Sequence, residues 1–84
     1  MGTGEELQLI RSLKRGDNHA YKYIYDHHYT LLCKIAYEFL KDDFLSETIV
    51  DDAIFHLWEI RETVNITTSL RSYLVQAVRN RCIN

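Results

Sequence analysis

A chain of 84 residues with 46% apolar content suits one domain with a small core, and it is too apolar for intrinsic disorder. It has no proline and three glycines, of which only Gly16 is internal, so the turn punctuation that many short strands need is missing. The net charge of −2 excludes a global field that would recruit nucleic acid.

The charge is unevenly placed. Residues 1–37 carry a net +1, residues 38–62 a net −6, and residues 63–84 a net +3 from Arg71, Arg79 and Arg81 with no acid. An acidic middle and a basic end suit two different partners. A solvated surface with uneven charge is the plain alternative.

The first helix is expected from Glu5 to Arg15, with Leu7, Ile10 and Leu13 or Lys14 on its inner face. Acids at its start and bases at its end suit the helix dipole. Gly16 is a natural stop, and Asp17 can cap the next helix. The second helix runs from about Asn18 to Leu40, roughly 35 Å at about 1.5 Å per residue. Its stripe is Tyr21, Ile24, His28, Leu31, Leu32, Ile35, Ala36 and Phe39. Lys41, Asp42 and Asp43 close it, with Asp43 as the expected cap of the third helix.

The third helix runs from about Phe44 to Arg61. Leu45, Ile49, Ala53, Leu57 and Ile60 line one side, with Val50, Ile54 and Trp58 beside them, and Trp58 reads as a core anchor. Glu47 and Asp51 share one face; Asp52, His56 and Glu59 form a neighbouring row. Residues 62–69 read as the irregular internal stretch, in which β-branched Val64 and Ile66 alternate with polar side chains. Thr68 is the expected cap of a fourth helix from about Ser69 to Ile83, where Leu70, Tyr73, Leu74, Ala77, Val78 and Arg81 keep the helical period. The fold class is therefore all-α, a compact bundle of about four helices in a single domain spanning residues 1–84.

Catalytic and metal chemistry finds little support. His27 and His28 are adjacent, so on a helix they point about 100° apart. His56 follows Asp52 by four, but nothing marks the remaining ligands that a zinc site needs. Cys33 has no histidine three or four residues away, and Cys33 and Cys82 read as small buried or half-buried side chains. There is no glycine-rich phosphate loop, no HExxH and no nucleophile elbow. The expectation is a binding module and not an enzyme, with no cofactor. No apolar stretch approaches membrane-spanning length and the N-terminus is polar, so the chain reads as cytoplasmic, without membrane insertion.

Residues 44–59, FLSETIVDDAIFHLWE, are followed by Arg61, and residues 70–84 read LRSYLVQAVRNRCIN. Together with the opening LIRSLKRGDNHAYKYIYDHHYTLLCKIAYEFL, they resemble region 2 of bacterial sigma-70 factors, and the extracytoplasmic-function branch in particular, over roughly residues 7–84. The resemblance implies a domain of a transcription initiation factor. Its third helix would dock on the clamp helices of RNA polymerase core. Its last loop and helix would engage the promoter −10 element, with the non-template strand opened and a base flipped into a pocket. An anti-sigma factor is a further partner that the resemblance allows.

The residues support the same division. Glu47, Asp51, Asp52 and Glu59 can steer docking on a basic protein surface. Arg71, Arg79 and Arg81 can meet phosphates. Asn65, Thr67, Thr68 and Ser69 on the loop, with Tyr73, Gln76 and Asn80 on the helix, supply groups that can read or stack on an unpaired base. Two positions depart from the family pattern: Thr48 stands where an acid is frequent, and Gln76 where a basic residue is frequent. The second helical domain that reads the −35 element in such factors is expected to be absent, and the ending Ile83-Asn84 reads as the cut end of a longer protein. A helical protein-interaction domain without nucleic-acid binding is the alternative; a basic patch continuous with a loop pocket favours DNA, and scattered arginines favour the alternative.

Overall fold

The computed structural model describes residues 4–83. It contains four helices, α1 (Gly4–Lys14), α2 (Asn18–Leu40), α3 (Asp43–Glu59) and α4 (Leu70–Ile83). The 23 residues of α2 account for the 35 Å long axis of the molecule. The other three helices all pack against α2, and α3 also packs against α4. The result is a compact, all-α four-helix bundle.

Local chemistry sets the helix ends. Gly16 adopts φ +84°, the left-handed conformation that lets the chain leave α1. The Asp17 carboxylate then accepts the His19 amide at 2.9 Å, one of the donors that a helix start leaves unsatisfied. At the other end of α2, Lys41 takes the left-handed conformation with φ 54° and returns its amide to the Tyr37 carbonyl. The cap of α3 is Asp42, not Asp43: its carboxylate accepts the Leu45 amide at 2.8 Å, and Asp43 already lies inside the helix. The cap of α4 is Ser69, not Thr68, because the Ser69 hydroxyl accepts the Ser72 amide at 3.0 Å.

The core draws on every helix. Leu13, Ile24, Leu32, Val50, Ile54, Leu57, Leu70, Leu74 and Val78 are fully or almost fully buried. Leu70, Leu74 and Val78 follow the i+4 spacing that turns one stripe of α4 inward. Some expected core positions lie outside. Leu7 is half exposed, and α1 packs instead through Leu13 and the partly buried Leu9. Phe39 and Leu45, on either side of the α2–α3 turn, are also exposed. Trp58 is half-buried at the core edge, with the Tyr21 ring 5.2 Å away and the Arg61 guanidinium 4.2 Å over its face.

Candidate protein- and nucleic-acid-binding surfaces

The side of α3 opposite its buried stripe is acidic and aromatic together. Glu47, Asp51, Asp52 and Glu59 are all exposed there. Phe44 is 79% exposed and Phe55 51%, which is unusual for aromatic side chains in a small bundle. Phe55 lies three and four residues after the two aspartates and four before Glu59, so helical geometry groups all four side chains. An exposed aromatic pair rimmed by charge has the composition of a protein-docking surface. Sequence reading leaves the phenylalanines unremarked; their spacing to the acids is the available signal.

Asp51 is fixed from below. The Tyr25 hydroxyl donates to its carboxylate at 2.6 Å. Tyr25 stacks on Tyr29 with ring centroids 4.8 Å apart, and Tyr21 continues the row toward Trp58. Burial first, and then the bond to Asp51, push the Tyr25 hydroxyl far above its ordinary value, so it stays a donor. Glu59 lies 3.6 Å from the His56 ring nitrogen.

The segment between α3 and α4 anchors by its apolar residues and presents its polar ones. Val64 is buried and Ile66 half-buried, while Asn65, Thr67 and Thr68 are exposed. Ser69 is occupied as the α4 cap. On α4, Gln76 donates to the Asn80 side-chain oxygen at 2.9 Å, and both Asn80 and Arg79 are exposed. Tyr73 is half-buried against the core. The three arginines do not converge. Arg71 and Arg79 are eight residues apart, which turns them about 80° from each other, and Arg81 projects about 160° away from Arg79. Arg71 turns toward α2, where its guanidinium donates to His28 Nδ1 at 3.3 Å.

His28 is thus a buried histidine with a partner. Burial, and next the charge of Arg71, hold its pKa below the ordinary value, so the ring is neutral and can accept. Burial pushes both free thiols, Cys33 and Cys82, upward, away from the thiolate form that a nucleophile needs. Among the described residues, no three His, Cys, Asp or Glu side chains are grouped to hold a metal ion, and no helix is long and apolar enough to cross a membrane.

Fold and surfaces together define a small helical binding module with an acidic–aromatic face on one helix and a polar loop leading into a basic helix. The chain belongs to the sigma-70 region 2 family, whose model matches residues 24–84. Domains of that family are non-catalytic modules that bind protein and DNA. No curated protein and no solved structure matches the chain at a significant level.

Proposed function

We propose that this domain docks on the clamp helices of bacterial RNA polymerase core through the outer face of α3 and presents the loop after α3, with α4, to the opened promoter −10 element. The observation that carries the reading is the acidic–aromatic face of α3 within a sigma-70 region 2 domain. The two phenylalanines supply apolar area to bury, and Glu47, Asp51, Asp52 and Glu59 supply steering and register against a basic partner. Asn65, Thr67 and Thr68 are exposed on the loop and supply the kind of hydrogen-bonding groups that a flipped base needs, and Arg79 and Asn80 are exposed on α4. In this reading the factor is cytoplasmic and of the extracytoplasmic-function branch. Contact with the −35 element belongs to a second helical domain outside residues 1–84, and an anti-sigma factor would compete for the α3 face.

The test is binding between the domain and a clamp-helix fragment. Reversing Asp51 and Asp52 to lysine weakens binding by about tenfold or more, because like charges then face each other. Unchanged affinity in a folded variant rejects the docking face. The divergence of the three arginines favours the second reading, a protein-interaction domain without DNA contact. Fluorescence anisotropy with a single-stranded −10-like oligonucleotide on the polymerase-bound domain separates the two. Arg79→Ala weakens all sequences alike if it meets phosphate, whereas Asn65, Thr67 or Asn80 substitutions narrow the gap between preferred and scrambled sequences.

A further inference from the structure

The loop between α3 and α4 is tied to α1, a helix that lies outside the family match, along its first half and at its junction with α4. The Lys14 ammonium donates to the carbonyls of Arg61, near the loop's start, at 3.3 Å, and of Val64, at its middle. At its end, a Glu6 carboxylate oxygen accepts the Leu70 amide at 2.9 Å. These bonds join residues 47, 50 and 64 positions apart in the chain.

The charges are matched to the ends they meet. A helix C-terminus leaves carbonyls unsatisfied and carries the negative end of the dipole; a helix N-terminus leaves amides unsatisfied and carries the positive end. Lys14 meets carbonyls of the loop itself, just past the end of α3, and Glu6 meets the first amide of α4. Eight residues separate them on α1, about 12 Å along the axis, so a single short helix reaches both contacts. Leu13, fully buried, and Leu9, packed on the core, hold α1 in place. Exchanging the two charges would set a carboxylate against carbonyl oxygens and an ammonium against an amide hydrogen.

We propose that α1 is a brace that fixes the geometry of the promoter-reading loop, with Lys14 and Glu6 as positioning residues that govern sequence discrimination without touching DNA. The inference rests on the promoter-facing reading of that loop. The brace holds the loop at Arg61, Val64 and Leu70 while Asn65 and Thr67 between them stay exposed to meet a base. An unbraced loop would sample many arrangements, and the ordering cost would fall on DNA binding.

The test uses the whole 84-residue chain in two measurements. In hydrogen–deuterium exchange, Glu6→Met speeds exchange of the Leu70 amide by about tenfold or more, the scale of one lost charge-assisted hydrogen bond, while α2 core amides are unchanged. In anisotropy with the polymerase-bound domain, Lys14→Met and Glu6→Met reduce the ratio of −10-like to scrambled affinity by about threefold or more at unchanged polymerase affinity. Lys14→Arg and Glu6→Gln keep a donor and an acceptor and restore most of it. Unchanged exchange overturns the brace; faster exchange with unchanged discrimination overturns its role in specificity. A wild-type domain that binds polymerase but shows no sequence preference overturns the promoter-facing reading itself, and the specificity role falls with it.

Discussion

Leu74 has no exposed surface and lies midway along the stripe by which α4 packs on α2 and α3. Truncating it to alanine removes three carbon atoms from the centre of that contact and leaves a cavity that the neighbours fill only in part. Buried leucine-to-alanine changes cost about 2–5 kcal/mol. At roughly 0.05–0.15 kcal/mol per residue, a chain of 84 residues holds about 4–13 kcal/mol in total. The substitution therefore removes a large share of the stability. For a domain of this size each kcal/mol moves the melting temperature by about 4–8 °C, so Leu74→Ala lowers it by roughly 10 °C or more. Thermal melts followed by circular dichroism at 222 nm read the shift. Leu74→Met, which conserves volume, serves as the control and costs less than about 1.5 kcal/mol. A fall of under about 4 °C for Leu74→Ala would mean that α4 is not docked through this stripe.

Single contacts give further expectations. Asp42→Ala costs about 1 kcal/mol in urea unfolding, because the Leu45 amide loses its acceptor, while Asp43→Ala stays within about 0.5 kcal/mol; the reverse order would return the cap to Asp43. His28 faces Arg71 and His27, which oppose its protonation together with burial, and Glu6, which favours it more weakly. Its folded pKa lies below the unfolded value of about 6.5, so stability is fully present above that pH and is lost as pH falls through the window beneath it. His28→Gln should flatten the difference in melting temperature between pH 7.5 and 5.5 (chosen as about one unit to either side); an unaltered difference places the titration elsewhere. The double variant Phe44→Ser with Phe55→Ser keeps stability within about 1 kcal/mol but loses about tenfold or more in clamp-helix affinity. Undiminished affinity would leave the acids alone as the docking determinants.

Periodicity and punctuation are enough to read four helices and their approximate bounds. Gly16 and Asp17 mark the first turn by chemistry specific to them, and both act there as read. The stripe of α2 through Ile24, His28, Leu32 and Ala36 is equally legible, because a 23-residue helix offers many turns over which one face repeats. α1 is harder: Leu7, Leu9, Ile10 and Leu13 give overlapping stripes on a short helix, and only the position of α2 selects Leu9 and Leu13. Period also says nothing about how far a covering helix extends, which is why Phe39 and Leu45 read as core and are exposed. The acidic positions on α3 are visible in the chain, whereas the bond from Tyr25 to Asp51 and the bonds from α1 to the loop join residues far apart in sequence. Such contacts depend on the tertiary arrangement and leave no local signature. The same holds for Arg71, whose partner His28 lies 43 positions away.

Trp58 is the single tryptophan of the chain, and it sits where α3 gives way to the loop. Its indole has the Arg61 cation over one face and Tyr21 beside it, with Tyr25 and Tyr29 continuing the row. Light absorbed by those tyrosines therefore has a nearby acceptor, and the emission of that acceptor responds to the position of the Arg61 charge. Arg61 carries the carbonyl to which Lys14 donates. The molecule thus contains its own optical gauge, in which the colour and intensity of one fluorophore track the junction between α3 and the loop without any added label.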